Sequence, residues 1–334
     1  MKRIAIIGAG SWGTALAIVA ARQGHDVRIW SRNQNVVEAI NRQHQNPTYL
    51  REGQMPVSVS ASKDILETIE SAEFVILAAP SHATRALLES MTASLRTGTI
   101  IVSATKGIEI ETGKRISEVV AEVMPSEIVT PFVCLSGPSF AHEVMQNHPT
   151  AVVAASDDRE ASGAVQSELS TETLRVYTND DVVGTELGGS IKNVMAIAAG
   201  MVYGLGFGAN SVAALITRGL AEMTRLTLHE GGKLETMMGL AGLGDLVLTC
   251  TGSLSRNRFV GQELGKGRSL SEIVAGMNEV AEGIKTTLAV KSLADRVGVR
   301  MPITDQVHSV LYEGKPAADA ARELMTRPLR EERY

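Results

Sequence analysis

Short apolar runs alternate with longer helix-like segments through the first half of the chain. The first two strand-like runs are residues 3–7 and 27–30. Others occupy residues 74–79, 99–103, 131–136 and 151–155. They do not alternate with polar residues, which is typical of parallel strands covered on both faces. This half is therefore predicted to be an α/β domain with a Rossmann-type doubly wound sheet.

From about Val182 the strand-like runs stop, and helical periodicity dominates as far as Leu324. Glycine clusters separate the helical segments. The length of 334 residues suits about two domains. We predict a dinucleotide-binding domain over residues 1–181 and an all-helical substrate-binding domain over residues 182–334.

A glycine-rich turn, GAGSWG, connects the first strand-like run, residues 3–7, to a helix-like run. Gly8 permits a tight turn, Gly10 leaves room for a pyrophosphate, and Gly13 lets the helix pack on the sheet. The helix N-terminus then presents free N–H groups to the phosphates. A second strand follows over residues 27–30. This context predicts dinucleotide binding.

The end of that second strand indicates which dinucleotide binds. An NAD site usually places a carboxylate about 20 residues after the turn, to bind the ribose 2′-hydroxyl. This chain has Arg32 there, between Ser31 and Asn33. Arg32 can pair with a 2′-phosphate, which favours NADP(H), although one arginine does not exclude NAD(H). The alternative is that Arg32 stacks on adenine or lies in solvent.

Composition narrows the function classes. A net charge of −5 argues against a nucleic-acid surface. The two cysteines, Cys134 and Cys250, form no disulfide framework and no zinc cluster, and they predict reduced thiols in the cytoplasm. The seven histidines lack metal-ligand spacing, so no metal site is predicted. Residues 193–217 carry no charge, but their glycines favour a buried core helix, a turn and the next helix over a membrane span.

Polar motifs follow three of the strand-like runs, at Pro80, Lys106 and Gly137. Because parallel strands end at one edge of a sheet, these motifs are predicted to face one crevice. Lys106 then reaches that crevice or lies on a surface loop. Pro138 and Ser139 suit the start of a helix, which either binds an anion or is simply capped.

Lys192 stands at the mouth of the uncharged segment and is predicted to be buried. Burial disfavours the ammonium form and lowers the pKa, which suits proton transfer, and a nearby Lys106 acts in the same direction. The flanking Gly188 and Gly189 are expected to let a ligand approach. The alternative is a lysine that extends from a helix end to water.

A last group of polar residues lies further along. Asp245 follows a glycine-rich turn in an apolar run, so it needs a partner. Ser255 is predicted to cap a helix that has Arg256 and Asn257 in its first turn, and an arginine beside free N–H groups binds phosphate well. Arg256 is alternatively a surface arginine, and Arg258 could bind the phosphate instead.

Together these motifs closely resemble one family, the bacterial-type NAD(P)-dependent sn-glycerol-3-phosphate dehydrogenases, over nearly the whole chain. The matching segments are residues 8–17, 104–109, 135–141, 186–193, 240–246, 255–257 and 280–283. The resemblance implies a cytoplasmic oxidoreductase that reversibly reduces dihydroxyacetone phosphate to sn-glycerol 3-phosphate, the backbone of phospholipids. A homodimer is expected, because helical second domains of this kind often provide a dimer surface.

The resemblance also implies residue roles. Lys192 accepts the alcohol proton and returns it in the reduction direction. The implied substrate contacts are Lys106, Gly137, Ser139, Lys192, Asp245, Ser255, Arg256 and Asn257. The implied cofactor contacts, besides Gly8, Gly10 and Gly13, are Ser11, Trp12, Arg32, Lys106, Ala141, Arg256, Val280 and Glu282.

Two alternatives stay open. A β-hydroxyacid dehydrogenase shares the nucleotide domain, the helical second domain and a lysine–asparagine pair. It is expected to use a carboxylate substrate, whereas the Ser255–Asn257 segment favours phosphate. A dinucleotide-sensing module without turnover needs neither Lys192 nor Asp245.

Overall fold

The computed structural model describes residues 1–277, 281–329 and 331–332. Its strands all lie before Val182. They are β1 (Arg3–Ile7), β2 (Asp26–Trp30), β3 (Gln45–Asn46), β4 (Leu50–Gln54), β5 (Val59–Ser62), β6 (Phe74–Leu77), β7 (Ile100–Ser103), β8 (Phe132–Ser136), β9 (Thr150–Ala155) and β10 (Leu174–Asn179).

Helices cover both faces of the sheet in the first half. They are α1 (Ser11–Arg22), α2 (Gln34–Gln43), α3 (Ile65–Ile69), α4 (Ser81–Met91), α5 (Ile116–Val123), α6 (Ala141–Met145) and α7 (Arg159–Leu169). Successive residues of β1 point to opposite faces: Ile4 and Ile6 join the apolar cluster that contains α1, whereas Ala5 and Ile7 join the cluster that contains α4. Burial on both faces explains why the strands are uniformly apolar.

The eight-stranded sheet has the order β10-β9-β8-β7-β6-β1-β2-β5. From β5 to β8 neighbouring strands are parallel, which confirms the Rossmann-type sheet. The direction of winding reverses between β1 and β6, and ligands of such sheets bind outside the strand ends at that point. The glycine turn after β1 therefore lies at the expected binding crevice.

The prediction that residues 151–155 form a strand parallel to its neighbours is wrong for one of the two neighbours. This run forms β9, which pairs antiparallel with β8, and β10 then runs parallel to β9. A parallel return needs a crossover of a dozen or more residues, usually built on a helix. The connection between β8 and β9, residues 137–149, reaches that length, but its helix is the five-residue α6, which is too short to carry the chain back along the strands, so β9 runs antiparallel beside β8.

The second half consists of helices. They are α8 (Val182–Gly204), α9 (Ala209–His229), α10 (Leu234–Met238), α11 (Asp245–Thr251), α12 (Arg256–Gly265), α13 (Leu270–Ala275), α14 (Glu282–Val297), α15 (Pro302–Tyr312) and α16 (Ala317–Met325). The uncharged segment is divided between α8 and α9, as predicted. In the part of the chain that is described, no helix has the length and apolar character needed to cross a bilayer. The domain boundary after residue 181 stays a prediction.

Glycines bring the backbones of α8 and α12 into direct contact. Gly200 and Gly204 of α8 face Gly261 and Gly265 of α12. A Cβ atom on Gly200 or on Gly261 would overlap a carbonyl oxygen of the opposite helix. This contact fixes the first turn of α12 relative to the buried side of α8.

We expect Gly261→Ala to destabilise the protein by about 2–4 kcal/mol, because the added methyl group forces the two helices apart. Urea unfolding measures the change. The control is Gly163→Ala in α7, where a Cβ meets nothing within 4 Å. That change should stabilise the protein by about 0.5–1 kcal/mol, as alanine favours a helix over glycine. Equal stability of the two variants would contradict the packing described for α8 and α12.

A buried carboxyl ties α9 to α15. Glu222 is 3% exposed and accepts hydrogen bonds from the backbone N–H groups of Ile303, at 2.7 Å, and Thr304. Burial raises the pKa of Glu222 to about 7 from its ordinary 4.5. The folded protein therefore binds this proton more tightly than the unfolded chain, and stability is lost as the pH rises from 4.5 through 7.

Glu222→Gln keeps an acceptor for these N–H groups but cannot ionise. We expect its stability relative to the wild type to increase by about 1–3 kcal/mol between pH 5 and pH 8, since only the wild type must bury a charge at the higher pH. Urea unfolding of both proteins at the two pH values measures this. A stability difference independent of pH would be inconsistent with a raised pKa.

Candidate active site

The turn between β1 and α1 has the shape that a dinucleotide needs. Gly8 has a φ of 122°, and a Cβ there would lie 2.8 Å from the carbonyl oxygen of Ala78. A Cβ on Gly13 would overlap the carbonyl oxygen of Gly8, whereas one on Gly10 would meet nothing within 4 Å. Helix α1 begins at Ser11 without a side-chain cap. The open space at Gly10 and the first-turn N–H groups therefore fit a pyrophosphate.

A hairpin that sequence reasoning missed lies over this turn. Strands β3 and β4 pair antiparallel, and the buried Asn46 amide donates a hydrogen bond to the carbonyl oxygen of Ala9 at 2.8 Å. The hydroxyl of Ser11 donates to the carbonyl oxygen of Tyr49 at 2.8 Å. The side chain of Ser11 thus holds the hairpin over the glycine turn. Trp12 is half-buried on the same turn.

One buried carboxylate joins two lysines at the carboxyl edge of the sheet. The Lys192 ammonium donates to Asp245 Oδ1 at 2.6 Å and to Thr249 Oγ1 at 2.8 Å. The Lys106 ammonium donates to Asp245 Oδ2 at 2.8 Å and to the carbonyl oxygen of Gly137 at 2.9 Å. The predicted convergence of the Lys106 and Gly137 motifs is confirmed, and Asp245 has the partners that it needs.

The environment of Lys192 favours loss of its proton. Lys192 is 6% exposed, and burial is the largest influence that lowers its pKa from 10.5 to about 8. The positive charge of Lys106 lowers it as well, whereas Asp245 opposes both effects. An amine with this pKa exists in both protonation states near neutral pH, as a group that donates and accepts protons should.

The glycines before Lys192 have a different role from the one predicted. A Cβ on Gly188 would lie 2.5 Å from the carbonyl oxygen of Ala241, and one on Gly189 would lie 2.6 Å from Ser136 Oγ. They therefore admit strand β8 and a π-helical turn, Leu240–Gly244, rather than a ligand. This close approach places Asp245, directly after the π turn, within reach of Lys192.

The segment after β8 also departs from its prediction. No helix starts at Pro138 or Ser139, because α6 begins only at Ala141. The hydroxyl of Ser139 donates to the carbonyl oxygen of Gly137 at 3.1 Å, and Gly137 has a φ of 129°. The ring of Phe140 packs against Gly252 of the helical half.

A chain of amides connects the lysine site to two helix N-termini. The Asn193 amide donates to the carbonyl oxygen of Lys106 at 3.3 Å. The Asn257 amide donates to Asn193 Oδ1 at 2.9 Å and accepts from the backbone N–H of Gly283 at 2.9 Å. Asn257 therefore links α8 to α14, beyond its predicted substrate contact.

The first turn of α12 has the predicted capped form. The hydroxyl of Ser255 accepts a hydrogen bond from the N–H of Arg258 at 3.2 Å. The Arg258 guanidinium lies 5.0 Å from the centre of the Tyr203 ring and donates to the carbonyl oxygen of Gly252 at 3.0 Å. The Arg258 side chain thus contacts other groups of the helical half. The exposed Arg256 is the better candidate for binding a phosphate.

The remaining predicted cofactor residues lie around the same crevice. Glu282 begins α14 and accepts a hydrogen bond from Ser81 Oγ at 3.2 Å, while burial raises the pKa of its carboxyl. Arg32 is exposed after β2, and Ala141 is the first residue of α6. Val280 lies outside the described residues.

Sequence reasoning did not single out Ser81 or Thr249 as site residues. The spacing of Thr249 could have indicated its role, since it lies one helical turn after Asp245 and therefore shares its face of α11.

Comparisons with known proteins agree on one family. The model of the NAD-dependent glycerol-3-phosphate dehydrogenase N-terminus matches residues 3–162, and the C-terminal model of the same family matches residues 181–322. The glycerol-3-phosphate dehydrogenase [NAD(P)+] of Koribacter versatilis is 54% identical over 98% of both chains. That of Geobacter sulfurreducens is 50% identical over 100% of this chain and 99% of its own.

A solved structure is also similar to this chain over nearly its whole length. The glycerol-3-phosphate dehydrogenase of Coxiella burnetii superposes with a TM-score of 0.94 at 42% identity, and the match covers 98% of this chain and 99% of that one.

Asp245→Asn removes the one negative charge between Lys192 and Lys106. We expect a loss of about 2–4 kcal/mol of stability at pH 7, because two ammonium groups then face each other without a carboxylate. The loss should be smaller at pH 9. Lys192 releases its proton above a pKa of about 8, whereas the unfolded chain holds that proton up to 10.5.

Chemical denaturation at the two pH values measures this difference. Asp180→Asn, which breaks the exposed pair with Lys233, serves as the control and should change little. A pH-independent loss in Asp245→Asn would show that Lys192 does not titrate in this range.

Proposed function

The chain belongs to the NAD-dependent glycerol-3-phosphate dehydrogenase family, and we propose that it reversibly reduces dihydroxyacetone phosphate to sn-glycerol 3-phosphate with NAD(P)H. The main support is the pair Lys192–Asp245, in which a buried amine with a pKa of about 8 lies beside the crevice that the glycine turn opens. A group of that pKa can transfer the proton that the reaction requires.

The reacting end involves Lys192, Asp245, Thr249 and Lys106. NAD(P)H, when bound, supplies the hydride. In the reduction direction the Lys192 ammonium donates a proton to the oxygen of the substrate carbonyl, and in the oxidation direction the neutral amine accepts it. Asp245 and Thr249 fix the position of the Lys192 Nζ atom through hydrogen bonds of 2.6 and 2.8 Å. The charge of Lys106 stabilises negative charge that develops on the substrate oxygen.

The phosphate end lies at the N-terminus of α12. There the Arg256 guanidinium, the first-turn N–H groups and the remaining side-chain N–H of Asn257 can bind a phosphate. Because glycine contacts fix α12 against α8, binding energy at the phosphate orients the carbonyl toward Lys192. This anion-binding end favours a phosphorylated substrate over the carboxylate expected of a β-hydroxyacid dehydrogenase.

Four further features belong to the proposal. The exposed Arg32 supports a preference for NADP(H), with NAD(H) also accepted. Cys134 and Cys250 are free thiols, which supports a reducing, cytoplasmic location. We also propose a homodimer, and a product that serves as the backbone of phospholipids.

A steady-state assay with dihydroxyacetone phosphate and either NADPH or NADH tests the proposal. We expect turnover with both cofactors and a higher kcat/KM with NADPH. Lys192→Met should reduce kcat by about 10²–10⁴-fold, because the proton-transfer group is lost. NADPH binding to that variant, measured by fluorescence titration, should persist.

The control variant is Lys233→Met, which removes an exposed lysine on the helical half and should keep full activity. Turnover of a 3-hydroxy acid instead of the phosphate ester would favour a β-hydroxyacid dehydrogenase. NADPH binding without any turnover by the wild type would favour a sensing module. Full activity in Lys192→Met would overturn the proposed role of that lysine.

A further inference from the structure

Two cationic side chains and a histidine lie at the carboxyl edge of the sheet, apart from the lysine–aspartate site. Arg32 follows β2, and His82 lies in the first turn of α4, just after β6. Because β2 and β6 flank β1, these two residues lie on either side of the glycine turn. Lys285 lies in the first turn of α14.

A hydrogen bond brings α14 to this edge. Ser81, the neighbour of His82, donates to Glu282 Oε2 at 3.2 Å, so the first turns of α4 and α14 are adjacent. Lys285 is three residues beyond Glu282 and therefore shares its side of the helix. The sequence separation of about 250 residues between Arg32 and Lys285 hides this proximity from any local motif.

The three groups interact electrostatically, and the Glu282 carboxyl also interacts with Lys285. Burial lowers the pKa of His82, the charges of Lys285 and Arg32 lower it further, and Glu111 opposes them. In the ranges that the structure describes, Arg32, His82 and Lys285 form no ion pair and no side-chain hydrogen bond. Two positive charges beside an imidazole that can donate a hydrogen bond provide a site for a multiply charged anion.

We propose that His82 and Lys285 join Arg32 in binding the 2′-phosphate of NADPH and so help to set cofactor choice. This inference rests on the proposed function, which supplies the dinucleotide. The pyrophosphate is accounted for by the open turn at Gly10, and Lys106 belongs to the reacting end. The other anionic group of NADPH is its 2′-phosphate, and we therefore assign that group to the cluster beside Arg32.

The first test is the ratio of kcat/KM with NADPH to that with NADH. Lys285→Met keeps most of the side-chain length, removes the charge, and should lower this ratio about tenfold, as expected for one lost charge-assisted contact. His82→Gln should lower it to a smaller extent. Arg96→Met, which removes an exposed cation before the amino end of β7, should leave the ratio unchanged.

The second test needs no turnover. Titration with 2′,5′-ADP and with 5′-ADP should show that Lys285→Met weakens binding of 2′,5′-ADP selectively. An equal loss for both nucleotides would overturn the proposal and would place Lys285 on the shared pyrophosphate. An unchanged preference would also overturn it. If the wild type fails to reduce dihydroxyacetone phosphate, the proposed function fails, but the titration still decides the role of the cluster.

Discussion

The structure depends on the burial of Lys192 against a single carboxylate. A charged lysine that is 6% exposed is costly to hold, and Asp245 with Thr249 provides only part of the compensation that water would give. Lys106 competes for the same carboxylate at 2.8 Å. The result is an amine whose proton is easily released, at the edge of the sheet where the nucleotide turn opens. Such a site combines proton transfer with access to a bound dinucleotide.

Close helix packing places the other groups around this amine. Helix α8 contains Lys192, α12 begins with the turn proposed to bind phosphate, and α14 begins with Glu282 next to the proposed cofactor crevice. Glycines set the spacing between α8 and α12, and the amides of Asn193 and Asn257 connect α8 to the start of α14. A shift of any one helix therefore changes the distances among the proposed phosphate site, the proposed cofactor crevice and Lys192 together.

Local signals in the sequence predicted the main features correctly. Gly8, Gly10 and Gly13 stand between a strand and a helix, and the uncharged run beside Lys192 indicated its burial. The predictions that failed concerned features that depend on neighbours distant in sequence. A buried apolar run looks the same in either direction, so the antiparallel course of β9 was not visible. Likewise, Gly188 and Gly189 indicate that some group packs closely against the helix. Only the fold shows that this group is the protein itself, namely the Ala241 carbonyl and Ser136.

Burial gives Lys192 an unusually low pKa in the folded protein. NMR of protein labelled with ¹³C at the lysine Cε atoms measures this directly, and the signal missing from Lys192→Met identifies the residue. Titration should give a midpoint near pH 8 for Lys192, well below the ordinary lysine value of 10.5. A Lys192 midpoint at or above 10.5 would contradict the account, since the amine would then remain charged throughout the reaction.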